Sequence, residues 1–393
     1  MQRRTFLALS GLSLAAGLGG CVSEGPADST GDGDPQPASE PRQFQTDASN
    51  TGATGGEVPG SATVDWQTTI PPVDGGLSVG DSRLVVAGHG DLTALDTEDG
   101  SELWSVDVGL DTGLAPAIAD DTAYVTAWNG GQNHDRGVAA IALEDGNERW
   151  RAVPDVGVSS APTLAGGSLY VGGSVNSDEV IAIVAAEGRE RWRFEAARHA
   201  TTPAVADGTV YAGGGKEKVV YAIDADTGEE LWRFETEGEA MNPPTVADGT
   251  VYVPDRSGHL YALDPGDGSE QWSVQVGSTG DEPQIWGSVA VTNDSVYVPA
   301  DGSVVALDSD GSRRWTVGRG AVHPPVVAGD SLLITTSQRA FCLDTADGAE
   351  RWHYEVEDRA IGDAVYAGIN CGLAVGDGVA FVAAHGGHVY ALM

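Results

Sequence analysis

Residues 258–277 read "GHLYALDPGDGSEQWSVQVG". Apolar and polar residues alternate in HLYALD and again in WSVQV, the period-two pattern of strands with two unlike faces. Between them the Asp-Gly pair at 267–268 supplies the positive φ that a tight hairpin needs. A near copy, "KVVYAIDADTGEELWRFETEG", stands at 218–238. Upstream of the quoted stretch, PPTVAD (243–248) and VYVPD (251–255) are two further strand patterns separated by a Gly-Thr turn. One unit therefore holds four short strands.

The tryptophans count the units. Trp66, Trp104, Trp150, Trp192, Trp232, Trp272, Trp315 and Trp352 each follow a polar turn and open a short alternating run, 37 to 46 residues apart. A period near forty with four strands per repeat is the signature of a propeller blade. Helical periodicity is absent after the first residues. The chain ends on GHVYALM (387–393), a third strand with no fourth, whereas TVDWQTTI (63–70) is a fourth strand with no third. Joining them completes an eighth blade and removes the exposed sheet edges. The fold expected is all-β: an eight-bladed propeller of four-stranded antiparallel blades over 62–393, closed by its N-terminal strand.

Composition narrows the function. The 393 residues carry 58 Asp and Glu against 21 Lys and Arg, a formal charge of −37, with Lys216 and Lys218 as the lysines. Nucleic acid calls for the opposite balance, because phosphates are met by Lys and Arg. Such a surface suits concentrated salt, where screening removes the cost of self-repulsion. The start, QRRTFLALSGLSLAAGLGGC, resembles a twin-arginine export signal (1–20) followed by a lipobox, with Cys21 as the lipidated residue. With the acidic surface, this implies a haloarchaeal cell surface and an exported protein anchored on the outer face of the membrane. Residues 21–61, rich in Gly, Ser, Asp, Glu and Pro, have the composition of a flexible tether. Two cysteines remain. Cys342 stands where the repeat has alanine (FCLD against YALD), as expected of a small buried thiol; Cys371 leaves a disulfide open.

Within the repeat, AIDADTGEELW (222–232) matches the Ala-x-Asp-x-x-Thr-Gly-x-x-x-Trp docking motif of the PQQ-like propellers, with further copies at 94–104 and 262–272. Copies at Ala142–Trp150 and Ala306–Trp315 read as shortened, and Ala182–Trp192 lacks the Asp. The small alanine leaves room for an indole, and Asp and Gly shape the hairpin. Residues 62–393 thus resemble the eight-bladed quinoprotein superfamily, which includes quinoprotein alcohol dehydrogenases and the BamB lipoproteins of barrel assembly. The dehydrogenase branch implies PQQ held between a tryptophan and adjacent cysteines, Ca²⁺ on Glu, Asn and Asp, and an Asp base. This chain has no adjacent cysteines and no matching calcium set, so no cofactor, metal or catalytic residue is expected; PQQ with Ca²⁺ is the alternative. The acidic turns DADTG (224–228) and DTEDG (96–100) lack the distant Glu of an EF-hand and read as turn caps.

His259 and His388 share one repeat position and read as architectural. His89, His134, His199, His323 and His385 fall instead between second and third strands or between blades. In an up-and-down blade both kinds of connection emerge on one face, opposite the uniform Asp-Gly turns. That face also carries Arg256 and the two tryptophans outside the repeat register, Trp128 and Trp286. Loops on a rigid scaffold are where binding concentrates. The expectation is a non-catalytic binding or scaffold protein with a protein partner at the membrane surface, and a quinoprotein oxidoreductase as the alternative.

Overall fold

The computed structural model describes residues 42–393 apart from 55–57, 74, 81, 110–113, 129–135, 175, 197, 279–284, 286, 322, 362–363, 367 and 370. The export signal and Cys21 lie outside the described residues. Eight four-stranded antiparallel sheets form an eight-bladed β-propeller, and no helix occurs among the described residues. Blade V shows the pattern: Thr245–Ala247, Thr250–Pro254, His259–Leu263 and Glu270–Gln275, from the channel outward. The other innermost strands are Leu77–Gly80 (blade I), Ala117–Ala119 (II), Thr163–Ala165 (III), Ala204–Ala206 (IV), Ala290–Thr292 (VI), Val326–Ala328 (VII) and Ala374–Gly376 (VIII).

Blade VIII is closed as the broken ends predict. Val64–Thr69 pairs antiparallel with His388–Leu392, setting Trp66 opposite Ala391. The seam repeats the interior of the ring in detail. Every repeat tryptophan faces a small residue of its third strand: Ala94, Ala140, Ala182, Ala222, Ala262, Ala306, Cys342 and Ala391. Ala140, not Ala142, faces Trp150, so that copy of the motif has full length and simply has Ala142 at the Asp position. The Trp66 and Phe381 rings lie 5.9 Å apart at 41°, as do Tyr124 and Trp150.

Each indole also crosses to the next blade. Its N–H donates to a turn carbonyl there: Trp66 to Thr97 (2.9 Å), Trp104 to Leu143, Trp150 to Ala185, Trp192 to Ala225, Trp232 to Pro265, Trp272 to Ser309 and Trp315 to Thr345. Trp352 donates to Pro59 at 2.8 Å, so the residues before the closing strand replace the hairpin that the chain ends leave broken. A turn glycine lies under each of these rings except that of Trp352. At Gly268 (φ +72°) a Cβ would stand 2.6 Å from the Trp232 ring, so both the conformation and the space require glycine. The turn aspartates cap as expected; Asp224 accepts from the backbone N–H groups of Asp226 and Thr227 and from the Thr227 hydroxyl.

The tether expected over 21–61 is corrected for its second half. Residues 42–54 fill the central channel as a plug. Ile118 N–H donates to Arg42 O (2.6 Å), Val205 to Ala48 O (2.6 Å), Val246 to Ser49 O (2.8 Å), Val291 to Thr51 O (2.8 Å) and Val327 to Gly52 O (2.7 Å). Leu164 N–H donates to the Gln43 side chain at 2.6 Å. The segment so visits the innermost strands of blades II to VII in order, and Ala53–Thr54 adds a parallel fifth strand to blade VII. The physical reason is the ring itself. Eight innermost strands present unpaired edges to the channel, and backbone groups shut away from bulk water need partners.

Candidate functional site

The plug is built to satisfy that channel. Gln43 imitates a strand: its side-chain oxygen accepts from Leu164 N–H and its Nε2 donates to Leu164 O at 3.3 Å. Asn50, 1% exposed, donates to Pro203 O and Pro244 O at 3.1 Å each, and its own carbonyl accepts from the Thr245 hydroxyl. Its φ of +56° is one that Asn tolerates. Gln45 Nε2 donates to Ser288 Oγ at 2.8 Å. Asp47 turns the segment, accepting from the Ser49 and Thr51 N–H groups at 3.0 Å and from the Thr51 hydroxyl. Burial raises the Asp47 pKa above the usual carboxylate range, against the opposing pull of those hydrogen bonds.

Above the plug a cavity of about 190 Å³ remains, toward blades I and VIII. It is walled by Phe44, Leu77, Leu114, Leu373 and the innermost strands of those two blades, with Arg42 and His323 also lining it. The segments that lead into blades I, II, VII and VIII contribute Gly76, Leu114, Pro324 and Leu373, so the cavity reaches the face that carries the varied loops, while Val79 and Val375 line it deeper in the strands.

On that face the predicted residues separate into groups. His323 joins the cavity, its Nδ1 2.9 Å from the Thr335 hydroxyl. His89 and His385 both hold the segment that follows the closing strand, where His89 N–H donates to Pro72 O and His385 O accepts from Val73 N–H. His199 and Arg256 form a third group between blades III and V. His199 is half-buried at φ +66°, its Nδ1 has no hydrogen-bond partner among the described residues, and its pKa is lowered by burial and then by Arg256 and Lys216. Arg256 reaches Glu239 at 3.5 Å and the Met241 sulfur at 3.3 Å. Trp128 stands alone on blade II, 41% exposed. His134 and Trp286 lie outside the described residues.

Sequence reasoning missed Asp255, a fully buried carboxylate at the end of a blade V strand. It accepts from the N–H groups of Gly238 (2.7 Å), Ser257 (2.9 Å) and His259 (3.0 Å) and from the Ser257 and Tyr261 hydroxyls. Five donors satisfy the charge, so it locks the loop that presents Arg256. The Asp-x-Ser pattern at 255–257 is the signal that points to it.

The family model described as outer membrane protein assembly factor BamB matches residues 47–199, 176–318 and 300–393, beginning inside the plug. The chain belongs to this family. No curated protein matches the sequence. Among solved structures, BamB from Moraxella catarrhalis is 17% identical at a TM-score of 0.66, covering 84% of this chain and 99% of that one. The quinohemoprotein alcohol dehydrogenase of Comamonas testosteroni is 13% identical at 0.72, covering 89% and 80%. A computationally designed protein, Ika8, is 14% identical at 0.69, covering 85% and 99%. These likenesses carry the fold.

In this BamB-family propeller the cavity above the plug does not fit a quinone cofactor. A cavity of about 150 Å³ takes one benzene ring, and the space above the plug is about 190 Å³; PQQ has three fused rings. Cys342 and Cys371 are separate buried thiols on blades VII and VIII. Burial pushes the Cys371 pKa up to about 12. Among the described residues no three His, Cys, Asp or Glu side chains converge as a metal site would require.

Proposed function

We propose that this BamB-family propeller is an exported, lipid-anchored protein that binds or scaffolds a protein partner through its varied face, without catalysing a reaction. One observation carries the reading: residues 42–54 fill the central channel, their carbonyls and the Gln43 amide taken up by the innermost strands of blades II to VII. What remains to meet another molecule is a rigid ring with unlike loops on one face, the arrangement in which loops bind. The family's description in terms of outer membrane assembly supports a protein partner. Arg256, held by the Asp255-locked loop, and the exposed indole of Trp128 are its proposed anchors, since Arg and Trp dominate the energetics of interfaces. The acidic composition supports a surface adapted to salt, and Cys21 supports attachment through lipid.

The test is capture of partners from the source membranes with a bait beginning at residue 42, so that the plug is kept. The proposal expects one discrete partner, lost or weakened at least tenfold in Trp128→Ala or Arg256→Ala. Reconstitution with PQQ and Ca²⁺ is the counter-test. Quinone absorbance together with dye-linked alcohol oxidation overturns the non-catalytic reading.

A further inference from the structure

The plug serves blades II to VII and leaves blades I and VIII unserved. Their innermost strands turn back through two-residue hairpins, with Gly80 facing Arg83 and Gly376 facing Val379. In such a hairpin the flanking residues exchange hydrogen bonds across the pair. The preceding residues, Val79 and Val375, therefore point N–H and C=O away from their own sheet and into the channel. The equivalent N–H groups of the other six blades are those the plug accepts. Neither Val79 nor Val375 N–H finds an acceptor among the described residues. Both residues line the cavity above the plug.

Arg42 lines the same cavity, and its guanidinium makes no ion pair or hydrogen bond with the described residues. That is unexpected in a chain where 58 acidic residues outnumber 21 basic ones. Phe44, Leu77, Leu114 and Leu373 make an apolar part of the wall, beside the polar Thr46, Ser78 and His323. Two aimed backbone donors, a guanidinium with no partner among the described residues and a partly apolar wall share one space.

We propose that this cavity is a binding site for a carboxylate carried on a compact apolar body. The carboxylate oxygens accept from Val79 and Val375 N–H beside the Arg42 guanidinium, the charge-assisted arrangement that is stronger than a neutral one. The body lies against Phe44, Leu77, Leu114 and Leu373. The volume sets the size, since about 150 Å³ takes one benzene ring and about 190 Å³ adds room for a carboxyl group. Two sources share that chemistry: a free one-ring acid, and the C-terminal residue of a peptide. The inference stands apart from the partner proposed above, and either can fail alone.

Calorimetric titration of the full chain separates the outcomes. The probes are phenylacetic acid, its carboxamide, and a ten-residue peptide ending in phenylalanine. The acid is expected to bind at least tenfold more tightly than the amide. Arg42→Gln should weaken the acid five- to tenfold and leave the amide unchanged. Leu373→Trp should remove binding of both by filling the cavity. If that variant does not fold, the melting temperature replaces it: saturating acid should raise that of the wild type and raise that of Arg42→Gln less. Binding of the peptide and the acid alike assigns the site to small acids as well as chain ends, and binding of the peptide alone assigns it to chain ends. Equal affinity for acid and amide overturns the proposal, as does the absence of heat for both acid and peptide at 10 mM.

Discussion

Asn50→Ala separates a plug from a tether. A tether residue can be changed at no cost to the propeller. Here the substitution removes the one hydrogen bond that Pro244 O accepts from a side chain among the described residues, and one of two to Pro203 O, which keeps the Thr163 hydroxyl at 2.7 Å. Leaving one buried carbonyl without a partner costs about 1–3 kcal/mol, and loss of the second bond adds about 0.5–1.5. Alanine at a φ of +56° adds about 1 kcal/mol. Loss of Asn50 Oδ1, itself buried without a partner, returns roughly 1 kcal/mol. The net is about 3 kcal/mol. With an unfolding entropy of ~2.1 cal/mol/K per residue, a chain of this size gains or loses about 1.2 °C per kcal/mol. A fall in Tm of about 4 °C is expected by calorimetry. Hydrogen exchange should quicken at Val205 and Val246, whose N–H groups bind the carbonyls of Ala48 and Ser49. Asn50→Gly, free of the φ penalty, should lie between wild type and Asn50→Ala. A change below 1 °C with unaltered exchange at both valines refutes the plug.

Removing residues 1–70 takes both the plug and the closing strand, including Trp66 with its bond to Thr97. Against a chain starting at residue 42 it should cost several kcal/mol, since losing a buried Trp alone is worth about 3–5; equal melting temperatures would exclude closure. Cys342 and Cys371 should both resist iodoacetamide at pH 8 and both react in 8 M urea, as buried thiols do. Cys371 gives the sign of a pH effect. Its folded pKa, about 12, lies above the unfolded value near 9, so its contribution to stability is complete below pH 9 and lost as pH rises toward 12. Cys371→Ser should flatten that alkaline loss in a pH series of melts. Cys21→Ser should release the protein from membranes into the medium, read by fractionation after a salt wash.

The ring was legible because each blade repeats the same physical demand. A tryptophan needs a small residue across the hairpin, a glycine beneath the ring and a turn carbonyl for its N–H, and those demands recur in the sequence at fixed spacing. Even the missing hairpin of blade VIII shows as two half-repeats at the chain ends. Cys342 in place of alanine was readable for the same reason, since it faces Trp352. The loop histidines were readable only as far as their face. That His89 and His385 hold one segment, or that Arg256 acts on the charge of His199, depends on how neighbouring blades bring their loops together, and no periodicity in the chain encodes that. Asp255 is local enough to leave a trace, an Asx turn, yet its burial is decided by Gly238 from the connection between blades IV and V and by Tyr261 from the next strand.

The plug was illegible for a deeper reason. Composition predicts disorder by asking whether a segment can bury enough apolar surface to offset the entropy of ordering. Residues 42–54, RQFQTDASNTGAT, fail that test. The channel asks something else of them. A closed ring of eight innermost strands already holds its edge N–H groups in fixed positions, all facing one narrow space. A segment that enters needs to bring acceptors, and every peptide carries them. Five of the six edge N–H groups are met by backbone carbonyls and the sixth by an amide side chain, so most of the information that orders the plug resides in the ring. What the segment's own sequence contributes is the fine fit: Gln43 as a false strand, Asn50 across two carbonyls, Asp47 at the turn. The same logic bears on the ligand site. The edges of blades I and VIII make the demand that orders the plug elsewhere, and a carboxylate meets it by the same means.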